Sequence, residues 1–373
     1  MIPIVEFVLG IAVLVYSAEK LIGYLVGVAS RWAISLFLIA VVFTGIEFDD
    51  LAFGIVLNLE DLSNVALGTV IGTTVAMTGL VLAIAAIVAP TPVDVPTSYL
   101  VLFVAAPIVM YALAFVGALS LVTGVVLIVA FVAFVGWIAY REYVSRRPVF
   151  RNAELYEQID HIKVGAGVGA GGTATATLTG GDGRGDGPTG ASTGGRGGFE
   201  LPPDLHVDQG FLKARQHSPG VAIALAVLAL IGLVVGALIA GQGTEGILDT
   251  FAIDGTVFGV TIATLALSLE DIFLTAEPQR RGAPEIAIAN VIGSVVFSVT
   301  GKLGIILLVG GAITVDASVL MWHMPALVVL TLISAIFLST GRLLRWHGFV
   351  LLGLYVIYFI TSLVSFGGVP LDD

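Results

Sequence analysis

The chain has 373 residues, of which 57% are hydrophobic and only 12% charged, with a formal net charge of −11 and no cysteine. Such a composition excludes a soluble globular protein and points to a multi-span membrane protein. It also excludes disulfides, thiolate metal sites and cysteine nucleophiles, and the acidic balance argues against nucleic acid as a partner.

At about 20 apolar residues per span, ten helices are predicted, over roughly 3–28, 33–57, 63–89, 97–116, 120–141, 218–241, 252–276, 284–312, 318–339 and 346–367. The first is apolar for too long, and lacks the basic leader, to read as a cleaved signal, so it is expected to be retained. Five helices fall in a first unit, residues 1–141, and five in a second, residues 218–373, with a polar insert at 142–217 between them. The insert opens on Arg146, Arg147 and Arg151 and passes through a Gly, Thr, Ser and Asp tract that cannot bury enough apolar surface to offset its ordering entropy, so a disordered linker is expected. Its GDGRGDG run has no preceding strand and no GK[ST] ending, which excludes a nucleotide-phosphate loop.

Basic residues orient the chain. Arg31, the insert's arginines, Lys213, Arg215, Arg280, Arg281, Arg342 and Arg345 fall on one side of a ten-helix topology, while Asn58–Asp61, Gly241–Asp254 and Thr314–Ser318 hold no Lys or Arg. The expectation is a plasma-membrane protein with both termini outside and residues 142–217 cytoplasmic. Trp32, Trp137, Trp322 and Trp346 fall near predicted helix ends, as an aromatic belt requires. His323 is expected at the same interface.

One pattern occurs twice. FTGIEFDDLAFG carries Glu47, Asp49 and Asp50, and 23 positions after Asp50 comes the small, hydroxyl-bearing run GTVIGTT, with Thr73 and Thr74. Shifted by 221 positions, Asp50 falls on Asp271, Asp49 on Glu270, Gly72 on Gly293 and Thr73 on Ser294. An odd number of helices per copy inserts the second copy upside down, which predicts an all-α integral membrane fold of two inverted five-helix repeats, with a site at their interface. A charge near the bilayer centre costs roughly 2.5–3.5 kcal/mol on insertion scales, so these carboxylates need a reason, and holding a cation is the direct one. On a regular helix Glu47 and Asp50 share a face, as do Ser268 and Asp271, whereas Asp49 and Glu270 point elsewhere. The alternative is that some of these acids are structural, buried neutral or paired. Gly68, Gly72, Ala289 and Gly293 read as small residues that let helices approach.

With both copies in view, the chain resembles the cation/calcium exchanger superfamily, in particular the prokaryotic sodium/calcium exchangers, whose two signatures read approximately GTSxPE and GNxxGSN. The counterparts here are Gly45 to Asp50 with Gly68 to Thr74, and Ala266 to Asp271 with Ala289 to Val295. The resemblance implies an antiporter rather than an enzyme, moving Ca2+ against Na+, or Ca2+ or another cation against H+, with no cofactor and with inorganic cations and the bilayer as its partners. It puts Asp50 and Asp271 in the place of the two central glutamates, with Thr73, Ser294 and Ser298 as hydroxyl ligands, and Ser268 matches the serine before the second acid. Glu47 joins Asp50 and Asp271 as a metal-ligating carboxylate; Asp49, Glu270, Thr74, Asn290 and Lys302 are possible partners around them. The chain departs from the signatures in having aspartate for both glutamates, acids for both preceding prolines, Met77 where a polar ligand is common, and Lys302 within the eighth helix. Lys302 reads equally as a tethered cation beside a carboxylate or as a partner of Glu19, and Lys20 as a local partner of Glu19. The alternatives of other classes are an intramembrane aspartyl protease, which would need YD and GxGD in membrane helices, and a sensor that binds ions without transport. The GD pairs at Gly181–Asp182 and Gly185–Asp186 lie in the insert.

Overall fold

A computed structural model describes residues 2–29, 46–93, 95–115, 118–145, 219–280 and 284–366. Apolar chain in lipid must satisfy its backbone internally, so the spans are helical. They are α1 (Ile2–Ala29), α2 (Phe48–Leu59), α3 (Ser63–Val88), α4 (Thr97–Ala114), α5 (Leu121–Ser145), α6 (Pro219–Phe251), α7 (Gly255–Arg280), α8 (284–310), α9 (Val319–Ser339) and α10 (Arg345–Phe366). Among the described residues nine of these are long and apolar enough to cross a membrane. The exception is α2, because residues 30–45, the first part of the predicted second helix, lie outside the described residues. So does the insert, apart from residues 142–145, which continue α5.

The inversion is visible in α1 and α6, which are repeat equivalents and pack side by side. A Cβ on Gly236 would lie 2.6 Å from Leu14 N and one on Gly246 2.8 Å from Pro3, while Gly10 abuts Ala240 and Gly243 abuts Phe7. Residue numbers rise on one helix as they fall on the other, so the pair is antiparallel. Two further features recur at the 221-residue spacing or across the repeats. Single π-helical turns interrupt α3 at Met77–Val81 and α8 at Ser298–Lys302. Short antiparallel pairings join Thr91–Pro92 to Arg342–Leu343 and Ala118–Leu119 to Ile313–Thr314, tying loops of one repeat to loops of the other at both ends of the bundle.

The sixth helix corrects an expectation. GQGTEG at 241–246 was expected to be loop, yet α6 runs on to Phe251. Its glycines are surfaces of close approach to α1 and to Glu60 rather than breaks, and small residues at such crossings let backbones pack tightly in a membrane. Gly236→Val should therefore push α1 and α6 apart and cost about 1–3 kcal/mol of stability, as overpacking does. Gly136→Ala, where an added Cβ meets nothing within 4 Å, should be neutral. Thermal unfolding in detergent separates the two.

Helix α2 is held to α8 at two places. Near its C-terminus, Asn58 Nδ2 donates to Ile306 O at 3.2 Å and Gly311 O at 3.3 Å, closing the end of α8 where Gly311 takes a φ of +96°. The other place is the carboxylate cluster at its N-terminus.

Candidate functional site

Where α3 packs against the π-turn of α8, Lys302 of that turn meets Thr73, and the start of α2 adds Glu47, which Ser298 and Lys302 both reach, and Asp50. Lys302, 1% exposed, donates from Nζ to Asp50 Oδ2 at 2.7 Å, Glu47 Oε2 at 2.9 Å and Thr73 Oγ1 at 2.9 Å. An ammonium has three protons, and all three find acceptors here. Burying an unpaired ammonium costs several kcal/mol, so two carboxylates beside it are what make the position tenable. Thr73 gives its own proton to Thr69 O at 2.9 Å, which leaves its lone pairs to accept from the lysine. Ser298 Oγ donates to Glu47 Oε2 at 2.9 Å.

Glu47 stands at the cap of α2 with φ −75° and ψ 85°, and the helix starts at Phe48. An unbroken helix over 33–57 was expected; residues 46 and 47 are not helical. The break lets Glu47 and Asp50 converge on one ammonium, and it sets Asp49 and Asp50 in a first helical turn, where the macrodipole favours carboxylates. The choice left open for Lys302 is resolved: its partners are Glu47 and Asp50, while Glu19 pairs with Lys20 at 3.1 Å.

The second repeat supplies a matching set. Ser268 and Ser294 are fully buried, and among the described residues their Oγ atoms find no hydrogen-bond partner; neither does Glu47 Oε1. Asp271 is buried and interacts electrostatically with Glu47, Asp50, Asp49 and Glu270. Asp49 and Glu270, the other repeat-equivalent pair, interact with each other and form no ion pair with Lys302. Asn290 Nδ2 donates to Thr275 Oγ1 at 3.3 Å and its Oδ1 is without a partner among the described residues. Sequence reasoning missed Thr275, although its place four residues after Asp271, on the same face, was a usable signal. Thr74 is bonded within its own helix, to Val70 O at 2.7 Å. Among the described residues no three acidic or histidine side chains form a ready-made metal cluster, so a cation here must also draw on hydroxyl and amide oxygens.

His323 corrects a second expectation. It is fully buried rather than interfacial, in the π-turn that opens α9, with Nδ1 2.9 Å from the Tyr358 hydroxyl. Of the tryptophans, Trp346 is exposed, Trp322 donates to Ser362 Oγ at 3.0 Å, Trp137 packs on Tyr99, and Trp32 lies outside the described residues. In the loops beyond the spans, burial and the neighbouring Glu245 push the Glu60 carboxyl up, and burial with Asp254 does the same to Asp316. Asp254 also caps α7, accepting from Val257 N at 3.0 Å.

The chain is similar to several known proteins. It is 31% identical over 136 residues to the sodium/calcium exchanger MaX1 of Methanosarcina acetivorans, covering 36% of this chain and 39% of that protein. It is 28% identical over 151 residues to an uncharacterized membrane protein of Methanocaldococcus jannaschii, covering 38% of this chain and 46% of that one. These alignments span less than half the length of either relative. Among solved structures it superposes on the sodium-calcium exchanger NCX_Mj soaked with 10 mM Na+ and zero Ca2+, with a TM-score of 0.56 and 18% identity, covering 96% of this chain and 98% of that chain. At that identity the likeness speaks for the fold. The family model described as sodium/calcium exchanger protein matches residues 2–140 and 221–364. Those segments take in both acid-bearing repeats and most of the chain's length, and the chain accordingly belongs to the sodium/calcium exchanger protein family.

Proposed function

We propose that this chain is a secondary active cation antiporter that exchanges Ca2+ for Na+ by alternating access, with the cation held near the bilayer midplane between the two repeats. The observation that carries this reading is the burial, on α2, α3, α7 and α8, of carboxylates and hydroxyls drawn from both repeats, with Asp271 in electrostatic reach of Glu47 and Asp50 and several oxygens that no described residue satisfies. Buried polar atoms are normally bonded, so unbonded oxygens facing a membrane interior mark a ligand's place. Ca2+ takes about six to eight oxygens from carboxylates, carbonyls and hydroxyls. Asp50, Asp271, Glu47, Ser268, Ser294 and the Asn290 carbonyl form such a hard-oxygen set, with Thr73 and Ser298 bonded around it. The family and the names of its relatives support Na+ as the counter-ion. Inverted repeats then give the motion, one half rocking against the other around the site.

The chain's units are read as a first repeat at 1–141, a linker at 142–217 and a second repeat at 218–373. The run of basic residues at one set of helix ends supports a plasma-membrane placement with the termini outside and the linker cytoplasmic. In reconstituted vesicles with the three gradients imposed separately, an outward Na+ gradient should drive Ca2+ uptake. Uptake driven by a pH gradient alone would replace Na+ by H+ as the counter-ion, and Ca2+ binding without flux under any gradient would favour a sensor.

A further inference from the structure

We propose that Lys302 is a resident cation of the exchange cavity, so that the other groups turn over two positive charges per cycle: two Na+ for one Ca2+, with no net charge moved. This rests on the antiport reading above. The 221-residue shift aligns two seats in the cavity. Glu47, Asp50 and Thr73 of the first repeat correspond to Ser268, Asp271 and Ser294 of the second, and Lys302 corresponds to Val81. In the first seat all three side chains give an oxygen to Nζ of Lys302, at 2.7–2.9 Å. In the second seat no lysine is present, and the two serine hydroxyls find no partner among the described residues.

The seats differ at two charged positions, and the differences cancel. Glu47 adds a negative charge where the second repeat has Ser268, and Lys302 adds a positive charge where the first repeat has the buried Val81. Within the two seats three carboxylates and one ammonium sum to minus two, which one divalent or two monovalent cations neutralise. In a low-dielectric interior an uncompensated unit charge is costly enough to set how many cations are taken up. Unlike a bound Na+, the ammonium is tethered to α8 and cannot leave with the cargo. Asp49 and Glu270, each one residue from a seat's aspartate and so on another face of its helix, are matched between the repeats and belong to neither seat, so they add nothing to the difference between the two.

The test measures the Ca2+ accumulation ratio at equilibrium in proteoliposomes as a function of the Na+ gradient, with the membrane potential clamped by K+ and valinomycin. Wild type should accumulate Ca2+ as the square of the Na+ gradient and be indifferent to potential. Lys302→Gln should move to the cube and become potential-driven, and Lys302→Arg should keep the square. A wild-type cube law driven by potential overturns the proposal even if no variant folds, and so does a Lys302→Gln protein that exchanges with wild-type stoichiometry. If the wild type carries no flux at all, the antiport reading fails separately, and binding decides the rest. The stability of purified Lys302→Gln in detergent should then rise with the logarithm of Na+ concentration more steeply than wild type, by the slope of one further ion. Equal slopes refute a resident cation.

Discussion

Asp50→Asn should abolish Na+-driven Ca2+ exchange and also cost the protein about 3–5 kcal/mol of stability, the penalty for breaking a buried ion pair. The two effects have one origin. The Lys302 ammonium keeps an acceptor at position 50, since an asparagine oxygen can still take its proton, but it loses the nearer of its two negative partners, at 2.7 Å. Glu47 Oε2 must then carry the ammonium alone while also accepting from Ser298. The free Glu47 oxygen is pulled into that duty, and the cation loses both a carboxylate and part of another. A loss of ~3 kcal/mol in binding is roughly a hundredfold in affinity, so exchange at ordinary Ca2+ concentrations should fall to the vesicle background. Combining Asp50→Asn with Lys302→Gln should recover most of the stability, because the stranded charge is gone, while exchange stays lost. If the double variant were no more stable than the single one, the 2.7 Å contact would not be a principal support of the fold. The pair of measurements is thermal unfolding in detergent and 45Ca uptake in vesicles.

How much of this was legible beforehand follows from what each residue type encodes. The inversion was readable because acid, glycine and hydroxyl recur in one register, which apolar composition does not produce by itself, and the antiparallel α1 and α6 follow from an odd helix count. The paired π-turns at 77–81 and 298–302 left no trace in composition, since a π-turn is set by packing around it rather than by propensity. Glycine misled at 241–246 because the same residue serves as a loop former in water and as a contact surface in a helix pair, and only the partner helix decides which. His323 misled because nearness to a helix end says nothing about which way the side chain faces; Tyr358, 35 residues on, is what holds it inside. Lys302 was recognisable as anomalous, but a site carboxylate, with no one acid singled out, and Glu19 were equally available on paper. The break at 46–47, which turns Glu47 toward α8, made the choice.

Asp271→Asn separates a carboxylate kept for function from one kept for structure. Asp50 is stabilised by its lysine; Asp271 is buried among Glu47, Asp50, Asp49 and Glu270, and among the described residues it has no ion-pair partner. Removing its charge therefore relieves like-charge repulsion and breaks no ion pair, so the variant should be as stable as wild type or more so in cation-free buffer. Its exchange should nonetheless disappear, because the second seat then brings only hydroxyls and amides to the cation and the summed charge of the two seats falls to minus one. Ca2+, which should protect the wild type against unfolding by mass action, should not protect the variant. A variant that gains stability and loses both flux and Ca2+ protection identifies position 271 as a seat for cargo. One that exchanges at the wild-type rate would move the cargo to the first repeat, where Lys302 already claims the oxygens, and the two-repeat account of the site would fail.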